Sequence, residues 1–293
     1  MKNISYFIIL LTLIAFSCTE RYEVELDGSY PRLVVDGSIT TDTTAHLVRL
    51  SKSAAYFSNK PLDPITGAIV TISDGTNTYT LHEDPNKPGD YYTDPTVYGV
   101  PGRIYTLSMS HVDINSDNTF ETYTGSCELK PSNQLDSMQV DFLHKFYRDN
   151  YQIAVYGQDP GETRDIYMYK IKINGKLITD TITEAQFADD EFFNGSQVAY
   201  QPVYYLTPTK NDEFLKEGDI ITLEQYGITQ EYLDFIMDLS NESHGADPFG
   251  GQPANISTNI ENKDLSYGFF GAFSVTRLVY VVKKEDLKPK LRP

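Results

Sequence analysis

The stretch Asp165–Ile178, "DIYMYKIKINGKLI", decides the fold. Its residues alternate. Tyr167, Tyr169, Ile171 and Ile173 fall on one face of an extended chain, and Met168, Lys170 and Lys172 on the other. A period of two belongs to a strand, because successive Cβ atoms there point to opposite faces. Asn174-Gly175 then supplies two residues that tolerate positive φ, as the tight hairpin turn requires. The stretch reads as a β-hairpin.

The same pattern extends outward. In "GAIVTISDGTNTYTL", Ala68, Val70 and Ile72 alternate with Ile69, Thr71 and Ser73, and Asp74-Gly75 supplies the turn. "RLVVDGSI", "AHLVRLSKSA", "GRIYTLSMS", "GDIITLEQYGI" and "FSVTRLVYVV" are further strand-like runs. Short strands about 10 residues apart, broken by turn residues, predict an all-β chain of immunoglobulin-like β-sandwiches. Two are expected, at residues 31–130 and 131–285, meeting at the polar break Lys130-Pro131-Ser132-Asn133. One helix is predicted, from Gln230 to about Ser240. Thr229 caps it, Glu231 suits the positive end of its dipole, and Tyr232, Ile236 and Leu239 recur at helical spacing with Phe235 beside them. Residues 286–293 read as a basic, solvated tail.

The N-terminus carries a different signal. Ile4–Ser17 is an apolar run of 14 residues behind Lys2, and it stops at Cys18. As a helix it would reach ~21 Å, short of the ~30 Å of a bilayer core, which fits the apolar part of an export signal. Ala15-Phe16-Ser17-Cys18 resembles a bacterial lipobox, though leucine is usual where Ala15 stands and a small residue where Phe16 stands. Residues 1–17 are therefore expected to be a signal peptide, Cys18 the lipidated residue and 18–30 a tether. The rival is a plain signal peptide with an incidental cysteine. Cys127 is then left without a partner and reads as a small buried hydrophobe.

Composition excludes one class of partner. With 24 basic and 41 acidic residues the net charge is −17 and the pI about 4.6, so nucleic acid is not an expected partner. No phosphate loop, dinucleotide fingerprint or serine-hydrolase elbow occurs. The five histidines (His46, His82, His111, His144, His244) show no short metal-binding spacing. No enzyme activity and no cofactor are expected, with a structural calcium as the one possible exception. Asp113, Asn115 and Asp117 place oxygens as the first three ligands of a calcium loop, but Asn118 and Thr124 stand where that loop has glycine and glutamate. The rival is a polar hairpin tip. Asp189-Asp190-Glu191 reads as a solvated loop ahead of a metal site.

Aromatic residues mark the remaining candidate. In "DDEFFNGSQVAYQPVYYL", Phe192, Phe193, Tyr200, Tyr204 and Tyr205 are candidates for a partner or ligand surface, with core packing as the rival. Core packing is the expectation for Phe269, Phe270 and Phe273 in "LSYGFFGAFSV".

Several segments in order, among them "LVVDGSI", "LSKSAAYF", "ITGAIVTISDG", "DDEFFNG", "EGDIITLEQYGITQEYLDFI" and "NISTNIENKDLSYGFFGAFSV", resemble a lipoprotein family of Gram-negative bacteria, domain of unknown function 4249. The likeness covers about Tyr30 to Val282. Tyr267-Gly268-Phe269-Phe270-Gly271 departs from the family's usual Gly-Tyr-Phe-Gly run. The resemblance brings no catalytic residues. It implies an outer-membrane lipoprotein, encoded beside TonB-dependent transporters, with an accessory role in nutrient uptake. The acids after Cys18 (Glu20, Glu23, Glu25, Asp27) resemble the surface-export signals of some such lipoproteins, so display on the cell exterior is expected. A structural or adhesive surface module is the alternative, and a surface hydrolase a third.

Overall fold

The computed structural model describes residues 31–54, 61–144, 149–161, 163–191, 195–210, 212–243, 256–262 and 265–289. Residues 1–30, with Cys18, lie outside them. The fold is mostly β. Sixteen strands are described: β1 (Leu33–Thr40), β2 (Leu47–Lys52), β3 (Ile69–Ser73), β4 (Thr78–Thr80), β5 (His82–Glu83), β6 (Asp90–Tyr92), β7 (Ile104–Val112), β8 (Glu121–Glu128), β9 (Leu135–Leu143), β10 (Asn150–Gln158), β11 (Ile166–Ile173), β12 (Lys176–Leu177), β13 (Gln186–Asp189), β14 (Gln197–Leu206), β15 (Ile220–Ile228) and β16 (Ser266–Val281). The helix α1 runs Gln230–Ser243.

The expected hairpins form. Asn174 and Gly175 have φ of 50° and 83°, the two positive values a type I′ turn needs, and β11 turns into β12 there. β3 and β4 pair around Asp74-Gly75. Asp74 Oδ1 accepts the amides of Thr76 (2.8 Å) and Asn77 (2.6 Å), and its Oδ2 accepts Arg103 Nη1 (2.6 Å). Burial pushes that carboxyl upward. The two amides and the guanidinium outweigh it and hold the pKa at about 2. Thr229 caps α1 as expected, its Oγ1 accepting the Tyr232 amide at 3.3 Å.

The strands make three open sheets. The largest runs β12-β11-β15-β16-β1-β2-β6-β5, with β13 also on β11. The others run β4-β3-β7-β8 and β14-β10-β9. Two large cores result, with a smaller cluster of Ile166, Met168, Ile228 and Phe273 beside α1. In the first, Val70, Ile72, Tyr105, Leu107 and Met109 meet Leu33, Val35, Val48, Leu50 and Tyr91. In the second, Val140, Tyr151, Ile153 and Val155 meet Tyr167, Tyr169, Ile171, Ile221 and Leu223. Each such fully buried side chain contributes about 1.5–3 kcal/mol.

The large sheet belongs to both cores, and the position expected for a boundary does not interrupt it. β16 makes the connection. Ser266–Phe273 pair in parallel with β1, and Ser274–Val281 pair antiparallel with β15. Sixteen residues at about 3.3 Å each span about 53 Å, enough to serve both cores in turn. Residues 269–274 are buried on both faces, hence the continuous apolar run. Phe270 enters the first core, while Phe269 and Phe273 meet Tyr232 of α1 edge-on (centroids 5.3 and 4.8 Å). The core role expected for these phenylalanines is met.

The polar break Lys130–Asn133 is packed at both ends. Lys130 bridges to Phe273, Asn133 is buried, and Gln225 Nε2 donates to Ser132 Oγ (2.9 Å) and to Asn133 Oδ1. The segment's polarity serves to satisfy buried amides of β15. An ion network centred on the buried Glu224 also ties the two parts of the sequence together. Glu224 Oε1 accepts Lys172 Nζ and Arg277 Nε, both at 2.8 Å, while Arg277 Nη1 reaches Asp42 at 2.7 Å. At the start of the expected basic tail two residues are packed, while Lys288 and Pro289 are exposed. Asp286 is buried, accepts Tyr280 OH at 2.8 Å, and Leu287 packs on the second core.

Candidate functional site

The ends of three strands converge beside the second core. Asp159 follows β10, Asp165 precedes β11 and Asp190 follows β13. All three are buried, at 3, 4 and 6 % exposure, and one oxygen of each lies within 4.8 Å of the others. Backbone bonds hold the arrangement. Asp165 N donates to Asp190 Oδ1 (2.9 Å), Asp190 N to Asp165 O (3.2 Å), and Gly195 N to Asp159 Oδ2 (2.8 Å). Tyr167 OH sits 3.4 Å from both Asp159 Oδ1 and Asp165 Oδ2, and Thr163 Oγ1 donates to Asp165. Asp190 Oδ2 is buried without a hydrogen-bond partner. Burial raises the pKa of Asp165 and of Asp190, since a charge loses its hydration there.

Asp159 and Asp190 also wall a cavity of about 350 Å³ between β11, β13, β15 and the facing strands β10 and β14. Tyr167, Tyr169 and Gln225 complete its polar and aromatic lining. Gln225 is fully buried, and its Oε1 has no hydrogen-bond partner. Larger cavities exist, one of about 510 Å³ beside the start of α1 and one of about 480 Å³ under it. The smaller one is the better candidate, because unsatisfied buried polar atoms converge on it. A small polar ligand is what such atoms lack.

The Asp189-Asp190-Glu191 run is split rather than solvated throughout. Arg164 takes Asp189 (Nε–Oδ1 3.1 Å) and Glu191 (3.0 Å) on the outside, and Asp190 turns inward. The trio escaped the sequence reading because Asp159, Asp165 and Asp190 share no motif spacing. Strand alternation through β13, with Asp189 out and Asp190 in, was the available signal.

The expected calcium loop is a hairpin tip whose oxygens serve its own backbone. Asp113 accepts the amides of Asp117 (3.3 Å) and Asn118 (3.2 Å), Asp117 accepts that of Thr119 (2.8 Å), and Asn115 is exposed.

Of the expected aromatic surface, Phe192 and Phe193 lie outside the described residues. Tyr200 is half-buried, with φ of 55°, donates its hydroxyl to Asp141 and meets Tyr156 edge-on at 6.1 Å. Tyr204 is corrected: it is a residue of the second core, at 6 % exposure, while Tyr205 is exposed. The cause is a bulge. Ile153 faces Tyr204 and Ala154 faces Pro202, so Val203 is extra and both it and Tyr204 point inward. Cys127 is a buried free thiol, pushed up to about 11 by burial, in accord with its reading as a hydrophobe.

Among the described residues no helix is long and apolar enough to cross a membrane. A search of curated proteins finds no match. The family model described as "Domain of unknown function (DUF4249)" matches residues 19–278, and the chain belongs to that family.

Proposed function

We propose that the chain is a lipid-anchored protein of the outer membrane, displayed on the cell exterior, that captures a small ligand for a TonB-dependent nutrient transporter. It acts by binding, without catalysis. The observation that carries the reading is the cavity beside the second core, whose lining holds Asp159, Asp190, Tyr167, Tyr169 and the unpaired Gln225 Oε1. Its volume falls at the lower end of the 300–1,000 Å³ usual for small-molecule sites. The apolar run ending at Cys18 supports the anchor, and several acyl chains on one residue give lasting attachment at about 0.8 kcal/mol per buried methylene. The packing supports two β-sandwiches fused through a shared sheet, a rigid base for such a site. Exposed Tyr205 is a contact for the barrel.

The anchor and the partner are tested together. Full-length wild type should incorporate labelled fatty acid and, purified from detergent-solubilised outer membranes, bring a TonB-dependent barrel with it. Cys18→Ala should carry no label and remain a precursor. Equal labelling of the two proteins, or a labelled wild type that elutes with no barrel, would sink the proposal.

A further inference from the structure

We infer that Asp159, Asp165 and Asp190 form a binding site for a calcium ion that ties together the ends of β10, β11 and β13. The inference is independent of the transporter reading.

Three carboxylates within 4.8 Å of one another are costly to bury without a positive charge. Among the described residues no ion pair reaches them. The two nearby cations are paired elsewhere, Arg164 with Asp189 and Glu191 on the outer side and Lys130 with Glu128. Glu162 and Phe192–Asn194, neighbours in sequence, hold no basic residue. The protein's own donors cover part of the need: an amide for Asp159, a hydroxyl for Asp165, an amide for Asp190 Oδ1. They leave Asp190 Oδ2 bare inside the protein. A buried carboxylate oxygen without a donor is unfavourable, and a cation removes that deficit.

The donor set selects the ion. All three side chains offer oxygen, and no histidine or cysteine joins them. That is a hard set, suited to calcium or magnesium and unsuited to zinc or copper. Oxygens within 4.8 Å of one another can share one ion with bonds of about 2.4 Å, as calcium makes. Backbone carbonyls and water complete a calcium sphere readily, because its geometry is permissive. The ligands come from three strand ends, so the ion would act as a clasp on one wall of the cavity.

The test uses full-length protein in detergent, stripped with EDTA. Adding calcium to 100 times its dissociation constant should raise the melting temperature by about 5–10 °C. Terbium should bind in place of calcium and luminesce on excitation of tyrosine, since the chain has no tryptophan and Tyr167 OH lies 3.4 Å from two of the carboxylates. Asp190→Asn should lose the calcium-dependent shift and weaken terbium binding at least tenfold. Asp113→Asn with Asp117→Asn should change neither. Tyr167→Phe should dim the terbium signal and keep the calcium shift, which gives a readout even if Asp190→Asn folds poorly. A stripped wild type indifferent to calcium would overturn the inference. So would an Asp190→Asn protein that binds as the wild type does, or a signal lost on mutating Asp113 and Asp117.

Discussion

Gly268→Ala is expected to destabilise the protein by about 3 kcal/mol or more, which for a domain of this size lowers the melting temperature by about 6–12 °C. Gly268 is the third residue of the part of β16 that lies against β1, and it pairs with Val35. Its φ is 92°, where an L side chain is strained, and a Cβ there would lie 1.9 Å from the Val35 carbonyl oxygen. That oxygen is backbone in the middle of a sheet and cannot swing aside. The strand must shift, and with it Phe269 and Phe270, which pack against α1 and the first core. Gly175→Ala is the control. It has a similar φ of 83° but open space around it, so only the local strain of about 1 kcal/mol is expected. Urea unfolding followed by circular dichroism measures both. Equal and small losses would mean that the junction of β1 and β16 is not tightly packed.

The second large effect separates two adjacent tyrosines. Tyr204→Ala should cost about 3–5 kcal/mol, the range for deleting a buried aromatic ring, and Tyr205→Ala no more than about 0.5 kcal/mol. Tyr204 is a member of the second core, where burial also pushes its phenol up to about 12. Tyr205 is 46 % exposed. The proposed barrel contact predicts the reverse order in co-purification: Tyr205→Ala should weaken recovery of the barrel at an unchanged melting temperature. Similar stability losses in both variants would contradict the bulge that places Val203 and Tyr204 on the same side.

Local features were legible in the sequence and non-local ones were not. The β11 hairpin was readable because alternation and Asn174-Gly175 lie within 14 residues of one another. The cap and apolar stripe of α1 are equally local. The pairing of β1 with β16 joins residues more than 200 positions apart, and no short-range signal marks it. Lys130 bridges to Phe273 of β16 and Asn133 is buried, although the segment reads as a polar break. At β14 the alternation rule failed for a definite reason, since a bulge beside Pro202 changes the phase of the strand. The carboxylate trio was invisible because residues 159, 165 and 190 meet only when three strands end at one place.

The proposed function requires that the cavity beside the second core hold a ligand. Its most direct test is mass spectrometry of small molecules released when full-length protein, purified from its own outer membranes, is denatured. Wild type is compared with Ala199→Trp, a change at an exposed residue of the cavity wall that should obstruct the space without disturbing either core. The account predicts a compound released by wild type and absent from Ala199→Trp, at unchanged fold and acylation. Release of nothing by wild type, or of the same compounds by both proteins, would contradict it.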